Sequence, residues 1–136
     1  MYGNINAEKF FDDFLEYFIT DSDFSLLKGL GVNVLRLAVN HRHFEDDQAP
    51  GKYRKEGFRH LDRILDLCRR FDIYAILDMH TSPGGHNPDS HGGGDTGVGE
   101  FWQDASLRDR IINLWGYIAK RYKDDPIIAG YDILNE

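Results

Sequence analysis

The chain has 136 residues, enough for one domain with a hydrophobic core, and its 29% charged and 41% hydrophobic residues are typical of globular proteins. The formal net charge of −7, with no basic stripe to offset it, argues against a nucleic-acid partner. No apolar stretch approaches the roughly 20 residues needed to cross a bilayer, so we expect no membrane partner.

Two helices and a strand are predicted at the start of the chain. Apolar residues recur at intervals of three and four across residues 7–18, which predicts an amphipathic helix. A second, short helix follows the capping hydroxyl of Thr20 and ends at Gly29 or Gly31. Residues 32–39 are nearly all apolar, which is typical of a buried strand.

The middle of the chain alternates loops with regular elements. Residues 41–55 form a polar loop, and residues 56–71 form the clearest amphipathic helix so far. Residues 73–79 are predicted as a second buried strand. Residues 81–103 form a long, glycine-rich loop, and loops of this length inside a domain usually carry function or are disordered. A third amphipathic helix follows over residues 104–122.

A third apolar strand, residues 127–134, closes the predicted order α-α-β-α-β-α-β. Near-continuous apolar strands that alternate with helices indicate a parallel sheet with helical crossovers. The sequence contains no repeat and no linker. We therefore predict a single α/β domain over residues 1–136.

Several residues are best explained by structural roles. The acidic run from Glu45 to Asp47 is predicted as a solvated loop, with contact to a sugar or a neighbouring loop as the alternative. Cys68 is the single cysteine, so no internal disulfide can form, and its place on the apolar side of a helix predicts a buried thiol. Trp115 is predicted to lie in the core.

Polar groups stand at or near the carboxyl end of every predicted strand. Arg36 lies on the first strand, His80 follows the second, and Asn135 and Glu136 follow the third. The carboxyl ends of parallel strands meet at one rim, so these four side chains are expected to share a pocket. A guanidinium, an imidazole, an amide and a carboxylate together suit recognition of a polyol and acid/base chemistry. Separate local ion pairs and helix caps are the alternative.

A metal site is the first rival interpretation of this region. His80, His86 and His91 lie in or beside the glycine-rich loop, with Asp89 and Asp95 nearby. Their spacing matches no compact zinc pattern such as His-Glu-x-x-His. We therefore predict no metal and no other cofactor.

The glycine run and the aromatic pair of the long loop have their own alternatives. A phosphate-binding role for residues 92–94 is disfavoured, because no Gly-Lys-Ser/Thr follows and the loop does not open directly into a helix. Phe101 and Trp102 could stack on a sugar ring, and packing in the loop or core explains them equally well.

Three segments together resemble glycoside hydrolase family five, the cellulase-like family. They are Gly-Val-Asn-Val-Leu-Arg-Leu from Gly31, Ile-Leu-Asp-Met-His from Ile76 with the Pro-Gly-Gly from Pro83, and Ala-Gly-Tyr-Asp-Ile-Leu-Asn-Glu from Ala129. The similarity runs in register over nearly the whole chain. The long loop and the segment 40–47 are most similar to the exo-glucanase and β-glucosidase members.

The resemblance implies a partial (β/α)₈ TIM barrel, approximately strands two to four with their helices, and hydrolysis of β-glucans or β-glucosides with retention. Glu136 would be the general acid/base. Asn135 would bind the sugar 2-hydroxyl, and Arg36 would pair with the nucleophile carboxylate, a bidentate task suited to arginine. His80 would bind either a sugar hydroxyl or the nucleophile.

The chain departs from the family pattern in detail and in extent. Ala38, His41 and His86 stand where many relatives have Pro, Tyr and Gln. A full barrel needs about 250 residues, and the nucleophile, expected on strand seven, is absent. We therefore expect a fragment that is inactive in isolation and whose open sheet edges favour self-association.

A second class of function is a non-catalytic carbohydrate-binding or self-associating half-barrel module. It predicts glucan binding without cleavage. Localisation stays open, since the N-terminus has no signal-peptide pattern although members of the family are often secreted.

Overall fold

A computed structural model of the chain describes residues 4–94 and 97–136. Met1–Gly3, at the N-terminus, and Asp95, named above beside the histidines, lie outside the described residues. No helix in the described ranges is long and apolar enough to span a bilayer.

The sheet is parallel and has three strands in the order β1-β2-β3. Its strands are β1 (Val34–Asn40), β2 (Tyr74–Thr81) and β3 (Ile128–Asp132). The register pairs Arg36 with Ile76 and Asp78 with Asp132. The predicted parallel sheet is confirmed, and each strand begins within two residues of its predicted start.

The predicted end of the third strand at Leu134 is wrong, because β3 ends at Asp132. Beyond it the chain bends, and the carbonyl oxygen of Ile133 accepts a hydrogen bond from the indole Nε1 of Trp115 at 2.9 Å. The backbone N–H of Asn135 donates a hydrogen bond to the carbonyl oxygen of Met79 on β2 at 3.1 Å. The last residues therefore leave the ladder and cross towards the end of β2.

Five helices accompany the sheet among the described residues: α1 (Asn4–Tyr17), α2 (Asp21–Gly29), α3 (His41–Phe44), α4 (Lys55–Phe71) and α5 (Ala105–Tyr122). Two 3₁₀ turns, Ser90–Gly92 and Glu100–Trp102, interrupt the long loop. The short α3 was not predicted, because it lies inside the segment 41–55 that was predicted as a loop. Its start is stabilised by the side-chain oxygen of Asn40, which accepts from the backbone N–H of Arg42 at 2.9 Å.

The core lies on the face of the sheet that carries the alternate residues Ala75, Leu77 and Met79, all of them buried. Apolar residues of α4 and α5 complete the same cluster. Cys68 belongs to it, so the predicted burial of this thiol is confirmed, and burial raises its pKa to about 11. Trp115 is also in the core, as predicted.

The opposite face of the sheet and the apolar face of α1 are exposed in the described chain. Val34, Arg36 and Ala38 are all exposed on β1. Helix α1 forms as predicted, yet its Phe10, Phe11 and Phe14 are exposed, as is Phe18 just beyond its end. Two of them, Phe14 and Phe18, help to line an apolar cavity of about 330 Å³ between α1, β1 and α4.

A partly buried ionic cluster fixes the segment that follows β1, so the prediction that Glu45 lies in a solvated loop is wrong. Glu45 is 2% exposed. The guanidinium of Arg110, on α5, donates from Nε to Glu45 Oε1 at 2.5 Å and from Nη2 to Asp47 Oδ1 at 2.9 Å. A buried carboxylate needs such a partner to offset lost hydration. The sequence alone does not show the pairing, because Arg110 lies 65 residues further along the chain.

The buried His41 joins this cluster to the end of β2. Its ring Nδ1 lies 3.0 Å from the Thr81 hydroxyl, which also accepts from the backbone N–H of His41. Burial lowers the pKa of His41 to about 4. Although partial burial of Asp47 opposes its ionisation, hydrogen bonds from Arg42 and Arg110 lower the pKa of that carboxyl to about 2. The two hydrogen bonds between His41 and Thr81 therefore connect the segment after β1 to the end of β2.

We predict that position 57 requires glycine, because α4 passes close to the backbone of α3 there. A Cβ added at Gly57 would lie 1.9 Å from the carbonyl oxygen of His43. We expect Gly57→Ala to lower the free energy of unfolding by about 1–3 kcal/mol, measured by urea denaturation. Gly116→Ala is the matched control, because nothing lies within 4 Å of its added Cβ and alanine favours the helix by about 0.5–1 kcal/mol. Equal effects of the two substitutions would contradict the close contact.

The neutral state of His41 predicts a dependence of stability on pH. The unfolded chain takes up this proton below its ordinary pKa near 6.5, whereas the folded chain does so only near 4. The contribution of His41 to stability is therefore present above pH 6.5 and is lost as the pH falls towards 4. Between pH 7 and pH 5 we expect the loss of unfolding free energy to be about 2 kcal/mol larger in the wild type than in His41→Gln. Equal losses in the two chains would contradict a buried neutral ring.

Candidate active site

The register of the sheet brings polar residues of all three strands to its open face. Arg36 on β1, Asp78 on β2 and Asp132 at the end of β3 lie on this face near the carboxyl ends of the strands. His80 has the same orientation as Asp78, because residues two apart on a strand face the same side. The register therefore places these side chains on one face of the sheet, near the carboxyl ends of its strands.

The guanidinium of Arg36 is the centre of this group. Its Nε and Nη2 atoms donate to Asp132 Oδ2 at 3.0 and 2.9 Å, and Nη2 also donates to Asn135 Oδ1 at 2.7 Å. These bonds connect β1 with β3 and with the turn that follows it, across 96 and 99 residues of sequence. Two of the predicted site residues, Arg36 and Asn135, are therefore in direct contact.

Asp78 connects Arg36 to His80. Its side chain has no exposed surface, and its Oδ2 lies 2.8 Å from His80 Nδ1. Its Oδ1 lies 3.2 Å from Arg36 Nη2, as an ion pair that lacks the alignment of a hydrogen bond. Sequence reasoning missed both Asp78 and Asp132. The available signal was a charged residue within each otherwise apolar strand, on the face shared with Arg36.

The residues after β3 carry the predicted amide and acid. Asn135 is 5% exposed and is held by its backbone bond to Met79 and its side-chain bond from Arg36. Glu136 follows with φ +41 and a side chain that is 71% exposed. Its Oε2 lies 3.0 Å from Nε2 of His91 in the long loop. Asn135 is therefore fixed in the polar group, while the Glu136 carboxylate faces the loop.

The long loop is folded tightly, which explains its glycines. Gly85 and Gly93 have positive φ angles of +68 and +91. An added Cβ at Gly85 would lie 2.6 Å from the backbone of Gly94, and one at Gly93 would lie 2.8 Å from the carbonyl oxygen of Ser82. The glycines thus allow backbone segments to approach one another.

The aromatic and histidine side chains of the loop differ in exposure. Phe101 is buried, whereas Trp102 is 60% exposed and its indole Nε1 donates to the carbonyl oxygen of His86 at 2.6 Å. His86 is itself buried, and this burial lowers the pKa of its ring. Within residues 4–94 and 97–136, no group of three or more potential ligands could hold a metal ion. Of the aromatic pair, Phe101 is therefore a packing residue, and Trp102 keeps an exposed ring.

The arrangement combines one cation with several acceptors on an open face. Arg36 faces the carboxylates of Asp78 and Asp132 and the amide oxygen of Asn135, and His80 lies beside them. Amides, imidazoles and carboxylates of this kind bind hydroxyl groups, and a nearby acid can exchange protons with a leaving oxygen.

Comparisons with known proteins identify the family of the chain. The sequence model "Cellulase (glycosyl hydrolase family 5)" matches residues 4–136. A β-xylosidase from Phanerodontia chrysosporium is 49% identical over 134 residues, which is 98% of this chain and 28% of that protein. Endoglucanase C from Acetivibrio thermocellus is 27% identical over 127 residues, 93% of this chain and 35% of that protein. The chain thus spans about a third or less of these relatives.

Solved structures show the same fold. A rutinosidase from Aspergillus niger matches with a TM-score of 0.76 and 21% identity over 88% of this chain and 34% of its own. An endoglucanase from Thermotoga maritima matches with a TM-score of 0.61 and 22% identity over 87% of this chain and 33% of its own. These neighbours are TIM-barrel enzymes, so the three parallel strands and their helices form a partial (β/α)₈ barrel, as predicted. The chain belongs to glycosyl hydrolase family 5, the cellulase family of enzymes that hydrolyse glycans.

Proposed function

We propose that this chain provides the acid/base side of a site that hydrolyses β-glucosides or β-glucans with retention of configuration. Glu136 protonates the departing glycosidic oxygen and then takes a proton from the incoming water. Asn135 binds the 2-hydroxyl of the sugar bound before the scissile bond, and His80 binds another part of the substrate. The proposal needs no metal and no cofactor.

The contact between Arg36 and Asn135 is the observation that supports this proposal most strongly. A hydrogen bond of 2.7 Å fixes the amide that immediately precedes Glu136. General acid catalysis requires its group within hydrogen-bond reach of the leaving oxygen, so the backbone that carries the acid must be held in place. The polar group on the open face therefore serves to position Asn135 and Glu136 relative to a bound sugar.

Retention also requires a nucleophile carboxylate about 5–5.5 Å from the acid/base. We propose that it comes from a further strand of the barrel and pairs with Arg36. Asp78 is a poor candidate, since its carboxylate is fully buried and lies against His80. On this proposal the isolated 136-residue chain is inactive.

The sugar is the least constrained part of the proposal. The relative with 49% identity is named a β-xylosidase, whereas others are named endoglucanase and glucan 1,3-β-glucosidase. A xyloside lacks the hydroxymethyl group of a glucoside, so both sugars should be tested.

A second candidate function is a carbohydrate-binding half-barrel that self-associates, because β1 and β3 form the two edges of the described sheet.

The isolated chain should hydrolyse neither aryl β-glucosides nor aryl β-xylosides, and Glu136→Gln should be indistinguishable from it in the same assay. Cleavage by the wild type but not by the variant would show a complete site, with a nucleophile from this chain or from a second copy. Binding of glucan without cleavage, together with a dimer in analytical ultracentrifugation, would favour the binding module.

The acid/base role of Glu136 can be tested by replacing the homologous segment of the Phanerodontia β-xylosidase with this chain. In an active chimera, we expect Glu136→Gln to lower kcat/KM by about 10²–10⁴-fold for glycosides with poor leaving groups. The loss should be much smaller for an activated aryl glycoside, whose leaving group needs no protonation. Glu56→Gln, at the start of α4, is the matched control. Equal losses on both substrate types would contradict the acid role.

A further inference from the structure

Asp78 is a charged residue to which the proposed mechanism gives no role. Its side chain is fully buried, on a strand whose neighbouring residues belong to the hydrophobic core. A buried carboxylate is costly unless charged partners and hydrogen bonds offset the loss of hydration. In the described chain these partners are Arg36 and His80, both of which belong to the candidate site.

The contact with Asp78 determines which nitrogen of His80 carries hydrogen. An ionised carboxylate only accepts hydrogen bonds, so the 2.8 Å contact between Asp78 Oδ2 and His80 Nδ1 requires the hydrogen on Nδ1. In the neutral ring, Nε2 is then left with a lone pair. The His80 side chain is 34% exposed, which leaves it accessible to a ligand.

We propose that Asp78 is a positioning residue that holds His80 in the Nδ1–H tautomer, so that Nε2 accepts a hydrogen bond from a substrate hydroxyl. The reference to a substrate hydroxyl rests on the proposed function, whereas the tautomer does not. The proposal also separates the two partners considered for His80. A bare Nε2 accepts from a sugar O–H but cannot donate to the carboxylate of a nucleophile.

Arg36 makes the effect of substituting Asp78 predictable. Its Nη2 lies beside Oδ1 of Asp78, while Oδ2 faces His80. In Asp78→Asn the amide should place its carbonyl oxygen towards the guanidinium, since an NH₂ group would oppose the cation. The NH₂ group would then face His80 Nδ1, which would have to act as an acceptor. The substitution should therefore move the ring hydrogen of His80 from Nδ1 to Nε2.

The test is nitrogen NMR of the histidine rings in the ¹⁵N-labelled chain at neutral pH. The two ring nitrogen signals of His80 are identified among those of the six histidines by their loss in His80→Gln. In the wild type we expect the shift of a protonated nitrogen at Nδ1 of His80 and of an unprotonated nitrogen at Nε2. In Asp78→Asn we expect the two shifts to exchange.

Asp132→Asn is the matched control, because Asp132 also pairs with Arg36 but makes no hydrogen bond to His80. It should leave the His80 ring shifts in the wild-type pattern. A wild-type ring that is protonated at Nε2, or at both nitrogens, would overturn the proposal even if Asp78→Asn did not fold.

The same measurement separates this proposal from the proposed function. Adding a β-glycoside that binds should shift the His80 Nε2 signal in the direction of a hydrogen-bonded acceptor. If His80 shows the expected tautomer but its ring signals do not respond to glycosides, the result supports the role of Asp78 and counts against the proposed function. The opposite tautomer would overturn the role of Asp78 whether or not glycosides bind.

Discussion

The hydrogen bonds of Arg36 are the interaction on which the candidate site depends. One guanidinium contacts Asp132 at the end of β3, Asn135 in the turn beyond it, and the buried Asp78 on β2. The three strands meet through their backbone ladders, and the bond from Arg36 to Asn135 adds to the bonds from Trp115 to Ile133 and from Asn135 to Met79 that hold the residues beyond the ladder. A planar group with several fixed donors suits such a task, which a lysine ammonium would perform poorly.

Two kinds of packing hold the surrounding loops around this centre. Gly57, Gly85 and Gly93 allow backbones to approach more closely than any side chain would permit. The cluster of Glu45, Asp47 and Arg110 fixes the segment after β1 against α5. The segments around the rim of the sheet therefore combine close backbone contacts with paired charges.

Local patterns in the sequence predicted most of the fold, because helices and buried strands leave periodic signals. The four longer helices, the three parallel strands and the buried Cys68 are examples. The errors concern contacts between distant residues. Glu45 was placed in solvent because nothing local reveals Arg110, and β3 was extended too far because its end is fixed by Met79 and Trp115.

The candidate site shows the same difference between local signals, which were recognised, and contacts between distant residues, which were missed. Arg36, His80, Asn135 and Glu136 stood out because every predicted strand carried a polar group at or near its carboxyl end. The structure joins the first three through direct contacts or through Asp78. Asp78 and Asp132 were missed, although each is an acid within an apolar strand. Their importance follows from the register, which places both on the same face as Arg36.

A double-mutant cycle between Arg36 and Asn135 tests the central claim most directly. The free energy of unfolding would be measured by urea denaturation for the wild type, Arg36→Met, Asn135→Ala and the double variant. If the guanidinium holds Asn135 in place, the two effects should be coupled by about 0.5–3 kcal/mol. Effects that add to within about 0.3–0.5 kcal/mol would contradict the account, because the segment that carries Glu136 would then be positioned without Arg36.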